Sequence, residues 1–259
     1  MNLKILAGVL IAAAIAVGGW FYLSSKENPQ PSTTNTPESL PELAAETKVK
    51  EVLAVEEEED FQEQTDSLVA APASVRGSDE VVREAVSDLS PSLTDYLGPD
   101  QQLRKWIVVV DQLAGYKWPT KNLPLLYPKA DFKVLNTSNG MVSSPENSKR
   151  WDKLIGLVSN LDAKRVAIYY KNWSPLIEGT YKELGNPNSF DFQLRDAIDH
   201  LLFIKPLPAQ AQLHRPKVFY EYVDPALENA DPLSKWMWRL GPDNMAKLQA
   251  WLRELKAYL

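Results

Sequence analysis

Asp196 and His200, four residues apart in the stretch RDAIDHLL (Arg195–Leu202), are the pair in this 259-residue chain whose types and spacing best suit chemistry. On a helix that spacing puts both side chains on one face. There a carboxylate can orient an imidazole for proton transfer, or the two can supply part of a metal site. Both uses need further groups. A metal wants a third and usually a fourth ligand, and the other histidine, His214, lies beyond a proline-containing turn. Acid/base work wants a nucleophile or water site, and none is evident. Asp196 and His200 therefore stand as catalytic candidates whose plainer expectation is an i,i+4 helix pair worth a few tenths of a kcal/mol, about what such pairs contribute, with no metal. Phe190, Leu194, Ala197, Ile198 and Leu201 share one face of the same helix, nearly opposite the pair. Phe192 and Phe203 flank the pair, which suggests cover on a second side.

Other candidates are more scattered. Glu178 and Glu183 invite comparison with a glycosidase acid, but glycosidases set two carboxylates by fold and not by local spacing. The stretch YKWPTKNLPLLYPKADFK, Tyr116 to Lys133, interleaves prolines, aromatics and lysines. Through Trp118 and Lys121 it could present an aromatic, basic face to an anionic polymer or peptide. The plainer reading is a proline-fixed connector that lays Trp118, Leu126 and Tyr127 on a helical core. Asp111, Arg215, Glu221 and Arg239 complete the binding candidates, and the question for the fold is whether they converge with Asp196 and His200. There is no glycine-rich phosphate loop, G-x-S-x-G elbow or H-E-x-x-H. With no cysteine there is no thiol nucleophile, disulfide or thiolate metal site. No cofactor is implied.

The elements that must position these residues are mostly helical by period. Helices are expected over 79–89, 99–114, 145–160, 163–184 with a break near Pro175, 190–204, 233–240 and 242–258. WIVVV, Trp106 to Val110, would suit a strand, but its continuation to Ala114 favours a buried helix. Ser144, Asp162 and Asp231 supply cap oxygens, while Gly98, Gly115, Gly185 and Gly241 suit the left-handed position after a helix end. In the last helix Met245, Leu248, Trp251, Leu252, Leu255 and Leu259 form a core-facing stripe. FKVLN (Phe132–Asn136) and VFYEYV (Val218–Val223) alternate like strands and are expected to pair and lie against the helices.

Ahead of these lies a different kind of sequence. After MNLK, residues 5–23 carry no charge and end in Trp20, Phe21 and Tyr22. At about 1.5 Å per residue they would span roughly 28 Å, close to a hydrocarbon core of about 30 Å. The small-residue pairs lie inside the run and aromatics close it, so an uncleaved signal anchor is preferred to a cleaved signal peptide. Lys4 and the terminal amine place the amino terminus in the cytoplasm by the positive-inside rule. From Lys26 to Asp79 thirteen acidic residues stand against four basic ones, a balance of -9 in a chain of -6, so that with Lys4 counted residues 80–259 carry +2. The prolines and the run Glu56–Asp60 indicate a disordered, self-repelling tether. A near-neutral domain behind an acidic tether lacks the electrostatic footprint of a nucleic-acid binder.

Five stretches carry a resemblance: VVDQLAGYKWP (Val109–Pro119), YKELGNP (Tyr181–Pro187), AIDHLL (Ala197–Leu202), YEYVDPALE (Tyr220–Glu228) and SKWMWRLGPDNMAKLQAWL (Ser234–Leu252). With the R-x-G-P-D/E-N element at Arg239–Asn244 as its most distinctive piece, the chain resembles an uncharacterised bacterial membrane-anchored family, the domain of unknown function numbered 3014. Gln112 and Leu240 depart from the asparagine and methionine usual there. The resemblance implies a single-pass anchor, a tether and an envelope-facing helical domain, and no activity. The organisation expected is a cytoplasmic tail 1–4, a transmembrane signal anchor 5–23 contacting the lipid bilayer, a disordered acidic linker 24–78 and a globular domain 79–259. That domain is expected to be mainly α (α+β), multi-helix with a small two-stranded β element. It would face the periplasm from the bacterial inner membrane as an interaction or ligand-binding module for an envelope protein or polymer. The alternative is a hydrolase acting on an envelope polymer.

Overall fold

A computed structural model describes residues 68–259. The expected anchor and the linker up to residue 67 lie outside the described residues. Helix α1 (Asp79–Leu89) leads through a 3-10 turn (Pro91–Tyr96) to α2 (Gln102–Ala114), which contains WIVVV. A hairpin follows, β1 (Val134–Thr137) and β2 (Gly140–Ser143), then α3 (Glu146–Lys149), α4 (Asp152–Ser159), α5 (Ala163–Glu183) and α6 (Phe190–Phe203). Short strands β3 (Gln212–His214) and β4 (Glu221–Tyr222) precede α7 (Pro225–Glu228), α8 (Pro232–Leu240) and α9 (Pro242–Tyr258). The described residues are thus mainly helical, with a small antiparallel sheet.

Local chemistry accounts for most helix ends. Asp162 accepts the Arg165 N–H at 3.0 Å, Asp231 the Ser234 N–H at 2.8 Å and Ser144 Oγ the Glu146 N–H at 3.3 Å. These are cap bonds to donors that the first helical turn leaves unpaired. Three expectations are corrected. The break near Pro175 is absent: α5 runs unbroken because the Ser174 hydroxyl donates at 2.9 Å to the Lys171 carbonyl that proline cannot serve. The helix expected over 145–160 is divided at Arg150–Trp151, where the Trp151 N–H bonds three residues back, to Ser148 O. The left-handed residue after α2 is Tyr116 (φ 55°), not Gly115, and Gly98 does not take a positive φ either. Lys117 N–H reaches Gln112 O and Tyr116 N–H reaches Leu113 O, the paired bonds of a Schellman end, one residue later than the glycine suggests.

Two apolar clusters result. One joins α4, α8 and α9 to Ala163 and Ala167 of α5 and to Ile198 and Leu201 of α6, with Trp151 and Trp236 inside. The other joins Val82 and Ala85 of α1, Leu103 and Ile107 of α2, the middle of α5 and Phe190. Leu68, Val69 and Val75 pack against this second cluster. Tyr169 OH accepts the Val69 N–H at 3.2 Å, and Trp173 Nε1 donates to Val69 O at 3.2 Å. Residues 68–78, expected to end the linker, are therefore a fixed strap on α5. Apolar side chains and one doubly bonded peptide hold it there.

The sheet corrects another expectation. It has four strands in the order β1-β2-β3-β4, all antiparallel. The two stretches read as partners hold β1 and β4, its opposite edges. The inner strands come from a two-residue hairpin at Ser138–Asn139, with Gly140 at φ 118°, and from Gln212–His214. Nor does the sheet lie flat on the helices: β1 and β2 have no buried residue, and Leu213 is the buried one in β3. Asn147 clamps the hairpin to α3, accepting the Lys133 N–H at 2.9 Å and donating to Lys133 O at 2.5 Å. Between sheet and helices an open cleft remains.

Candidate functional site

The candidates named from sequence go to separate places. No hydrogen bond or ion pair joins Asp196 to His200 among the described residues. His200 instead stacks on Tyr116, ring centroids 3.7 Å apart, with Nδ1 3.4 Å from Leu113 O. The second side of α6 is covered by α2 and Tyr116, while Phe192 and Phe203 are 55% and 78% exposed. The cover expected from those two phenylalanines is therefore corrected. Asp111 accepts the hydroxyl of fully buried Tyr181, whose ionisation burial and that bond both oppose. Glu178 takes the Phe190 and Asp191 N–H groups, each at 2.9 Å, and so caps α6. Glu183 lines a hollow of about 740 Å³ beneath the strap.

Trp118 lies stacked on Trp236 at 3.7 Å and 10°. Tyr127 packs beside Trp151, so the connector lays both aromatics on the core. Leu126, expected with them, is exposed, as is Lys121. Arg215 and Glu221 flank the β3–β4 turn. Arg215 donates to Val218 O at 3.1 Å and lies 5.3 Å from the centre of the Tyr220 ring, and Glu221 comes to 3.8 Å from His214. Among the described residues no group of three or more His, Asp or Glu is placed to hold a metal ion.

Of the sequence candidates, Arg239 lines the cleft, a concavity of about 650 Å³ between the sheet, α3 and the α8–α9 junction. The junction is the R-x-G-P-D-N element, and its geometry explains its residues. Gly241 has φ 78°, and a Cβ there would fall 2.5 Å from Ser148 Cβ, so only glycine lets the junction rest on α3. Pro242 starts α9 without needing an N–H. Asn244, 2% exposed, donates Nδ2 to Asp152 Oδ1 at 2.8 Å, Leu240 O at 3.0 Å and Ser148 O at 3.3 Å, tying α3, α4 and α8 to α9. Its Oδ1 is buried without a partner among the described residues.

Tyr222 and Trp238, edge to face at 5.9 Å, form the aromatic side of the cleft, and burial raises the Tyr222 hydroxyl against the opposing pull of Arg239. Arg239 itself is exposed, with no hydrogen bond or ion pair among the described residues. The N-terminus of α9 beside it has no side-chain cap. The cleft is lined by Lys149, Arg150 and Arg239 against Asp152 and Asp243, the latter in the first turn of α9. With its apolar walls this mixed lining suits retention of a ligand with an apolar body and a polar group that the unengaged guanidinium can hold. It offers no nucleophile with an adjacent base. Tyr222, Trp238, Asn147 and Asn244 were not among the residues singled out, although the Gly-Pro-Asp-Asn run signalled the last of them.

The stretches that carried the resemblance meet in pairs. Asp111 meets Tyr181, Tyr116 meets His200, Tyr222 meets Trp238, and Glu228 binds Lys235 at 2.8 Å. A family described as "Protein of unknown function (DUF3014)" matches residues 102–256. Neither a curated protein nor a solved structure matches the chain. Over more than half of its length, and through the segments that build its helix seams and cleft, this chain belongs to the DUF3014 family.

Proposed function

We propose that this protein is a membrane-anchored component of the bacterial envelope whose helical domain faces the periplasm and binds an envelope polymer or protein in the cleft at Arg239. The observation that carries the binding reading is the cleft itself, with an unengaged arginine and an uncapped helix N-terminus beside aromatic walls. The hydrolase alternative is less well supported. Asp111 and Glu178 are committed to Tyr181 and the start of α6, and His200 to Tyr116. The anchor rests on the uncharged run 5–23 and its aromatic end. Among the described residues no helix is long and apolar enough to cross a membrane.

Purified peptidoglycan sacculi incubated with the full chain separate the two readings. Co-sedimentation without release of soluble fragments, weakened by Arg239→Ala, is the expected result. Fragment release that Arg239→Ala leaves intact would put the hydrolase first. Intact-mass analysis of the native protein tests the anchor, since a mature amino terminus near residue 25 would remove it.

A further inference from the structure

The β3–β4 turn lies outside the cleft chemistry and carries the most exposed apolar side chains of the sheet side. Val218 is 68% and Phe219 78% exposed. They are nonetheless firmly presented. Arg215 Nε holds Val218 O at 3.1 Å, the Arg215 guanidinium lies over the Tyr220 ring, and Tyr220 rests on Phe132 at 5.5 Å. A turn braced in this way displays its apolar tip in one orientation, and nothing among the described residues covers that tip.

Two features decide what would cover it. The first is charge. In a chain of formal net charge -6, the turn itself contributes Arg215 and Lys217 against Glu221, and in the stretch beside Phe132 Lys129 stands against Asp131 while Lys133 is paired with Glu146. The second is size. A specific protein interface wants roughly 800 Å² from each partner, whereas this tip by itself offers two side chains and the edge of Phe132, so a protein partner would have to find most of its contact elsewhere on the domain. A small apolar wedge with a basic collar matches the boundary between headgroups and acyl chains of an anionic bilayer, where apolar side chains enter and lysine and arginine remain with the phosphates.

We propose that the β3–β4 turn is a second, reversible membrane contact, in which Val218 and Phe219 insert into an anionic bilayer surface while Arg215 and Lys217 stay among its headgroups. The inference rests on the anchored reading for its local concentration. Residues 24–67, at about 3.3–3.6 Å each when extended, are long enough to let any face of the domain reach the membrane to which residues 5–23 would fix it. Docking by the turn would then hold the sheet side of the domain, with its neighbouring cleft, close to the bilayer.

The absence of cysteine makes the test clean. The full chain carrying Val218→Cys, labelled with the environment-sensitive fluorophore NBD, is reconstituted into vesicles of phosphatidylethanolamine with phosphatidylglycerol, or of phosphatidylcholine alone. The same label at Lys171→Cys, an exposed site on α5, serves as reference. The proposal expects a blue shift and several-fold brightening at position 218 with phosphatidylglycerol. That signal should be reduced by high salt, by the phosphatidylcholine vesicles and by Phe219→Ser, with the reference label unchanged. Flotation of the same samples reports the anchor independently. Chain that floats with the vesicles while the label at 218 stays in water would overturn the membrane contact and leave the anchor intact. An equal signal at positions 218 and 171 would overturn it as well, because the contact would not be specific to the turn.

Discussion

At the helix seams, polar side chains are brought to partners. Asp88 receives Arg165 through Nε at 3.1 Å and Nη2 at 2.7 and 2.9 Å, and the Tyr169 hydroxyl at 2.7 Å. Gln249 donates to Leu201 O at 2.8 Å and Ile204 O at 2.9 Å, closing the end of α6. On the sheet side the pattern reverses: Arg239 is unengaged, Val218 and Phe219 stand in solvent, and short strands leave the cleft open. Polar groups withdrawn from water are under pressure to pair, since an unpaired one costs about 1–3 kcal/mol, and among the described residues Gln102 Oε1, Trp236 Nε1 and Asn244 Oδ1 are the buried side-chain atoms left without a partner. Groups left in the open carry no such demand and are available to something else. The comparison therefore points away from the aspartates and histidine most suggestive in the sequence, and toward the side of the domain where the fold leaves chemistry unspent.

The α8–α9 junction belongs to both regions, and breaking it should have the largest effect. Gly241→Ala sets a methyl against Ser148 at a backbone angle that alanine resists. A loss of about 3 kcal/mol is expected in urea unfolding, and a loss under about 1 kcal/mol would mean the cleft wall yields easily. Deleting residues 68–77 from the full chain removes the strap, with its partly buried apolar side chains and two hydrogen bonds. About 2–3 kcal/mol should be lost, whereas an unchanged midpoint would return that stretch to the linker.

A smaller effect is expected at Asp88. Burial works to raise its carboxyl, but the hydrogen bonds from Tyr169 and Arg165 and the arginine charge outweigh it and hold the group below its ordinary 3.8. A depressed folded-state value stabilises the protein above the unfolded-state value and ceases to do so as pH falls through the folded one. Asp88→Asn should thus cost about 1–2 kcal/mol near neutrality, with allowance for the partial exposure of the pair. The difference from the native protein should begin to shrink as pH falls below 3.8 and vanish once pH lies below the depressed folded-state value, and a gap that does not narrow over that range would exclude the charge as its origin.

Next comes His200→Gln, which forfeits the Tyr116 stack and should cost about 1 kcal/mol or less. Zinc and nickel calorimetry should be indifferent to it, and a stoichiometric site abolished by the substitution would reopen the catalytic reading. Least is expected of Arg239→Ala, within about 0.5 kcal/mol of the native stability. A larger loss would show that Arg239 belongs with the paired seams.

Helix ends were the most legible part of the sequence. Cap oxygens at Asp162 and Asp231 and the Gly-Pro step at 241–242 fall where α5, α8 and α9 begin. The misreadings share a cause. Pro175 does not break α5 because Ser174 repairs the local deficit, a compensation outside a rule that counts only proline. The Ser-Asn-Gly turn of the first hairpin was a readable signal that went unused. The pairing of that hairpin with Gln212–His214 was not readable, because three short residues carry no pattern of their own. Of the cleft, the Arg239–Asn244 element stood out in sequence, whereas its aromatic side came from residues of unremarkable spacing.

Sequence by itself determined where α5, α8 and α9 start and the principal faces that α6 and α9 bury. Caps, prolines and apolar periodicity act over one or two turns of the same segment, so their energetics are complete within a few residues. Tertiary structure decided which polar group serves which partner. Asp111 and Tyr181 are 70 positions apart, and Asp88 and Arg165 are 77. Such pairs exist only once packing has brought distant segments together and excluded the water that would otherwise satisfy them. The same packing left Arg239 unengaged and the Val218–Phe219 tip uncovered among the described residues, and no local rule could have distinguished them from their paired neighbours.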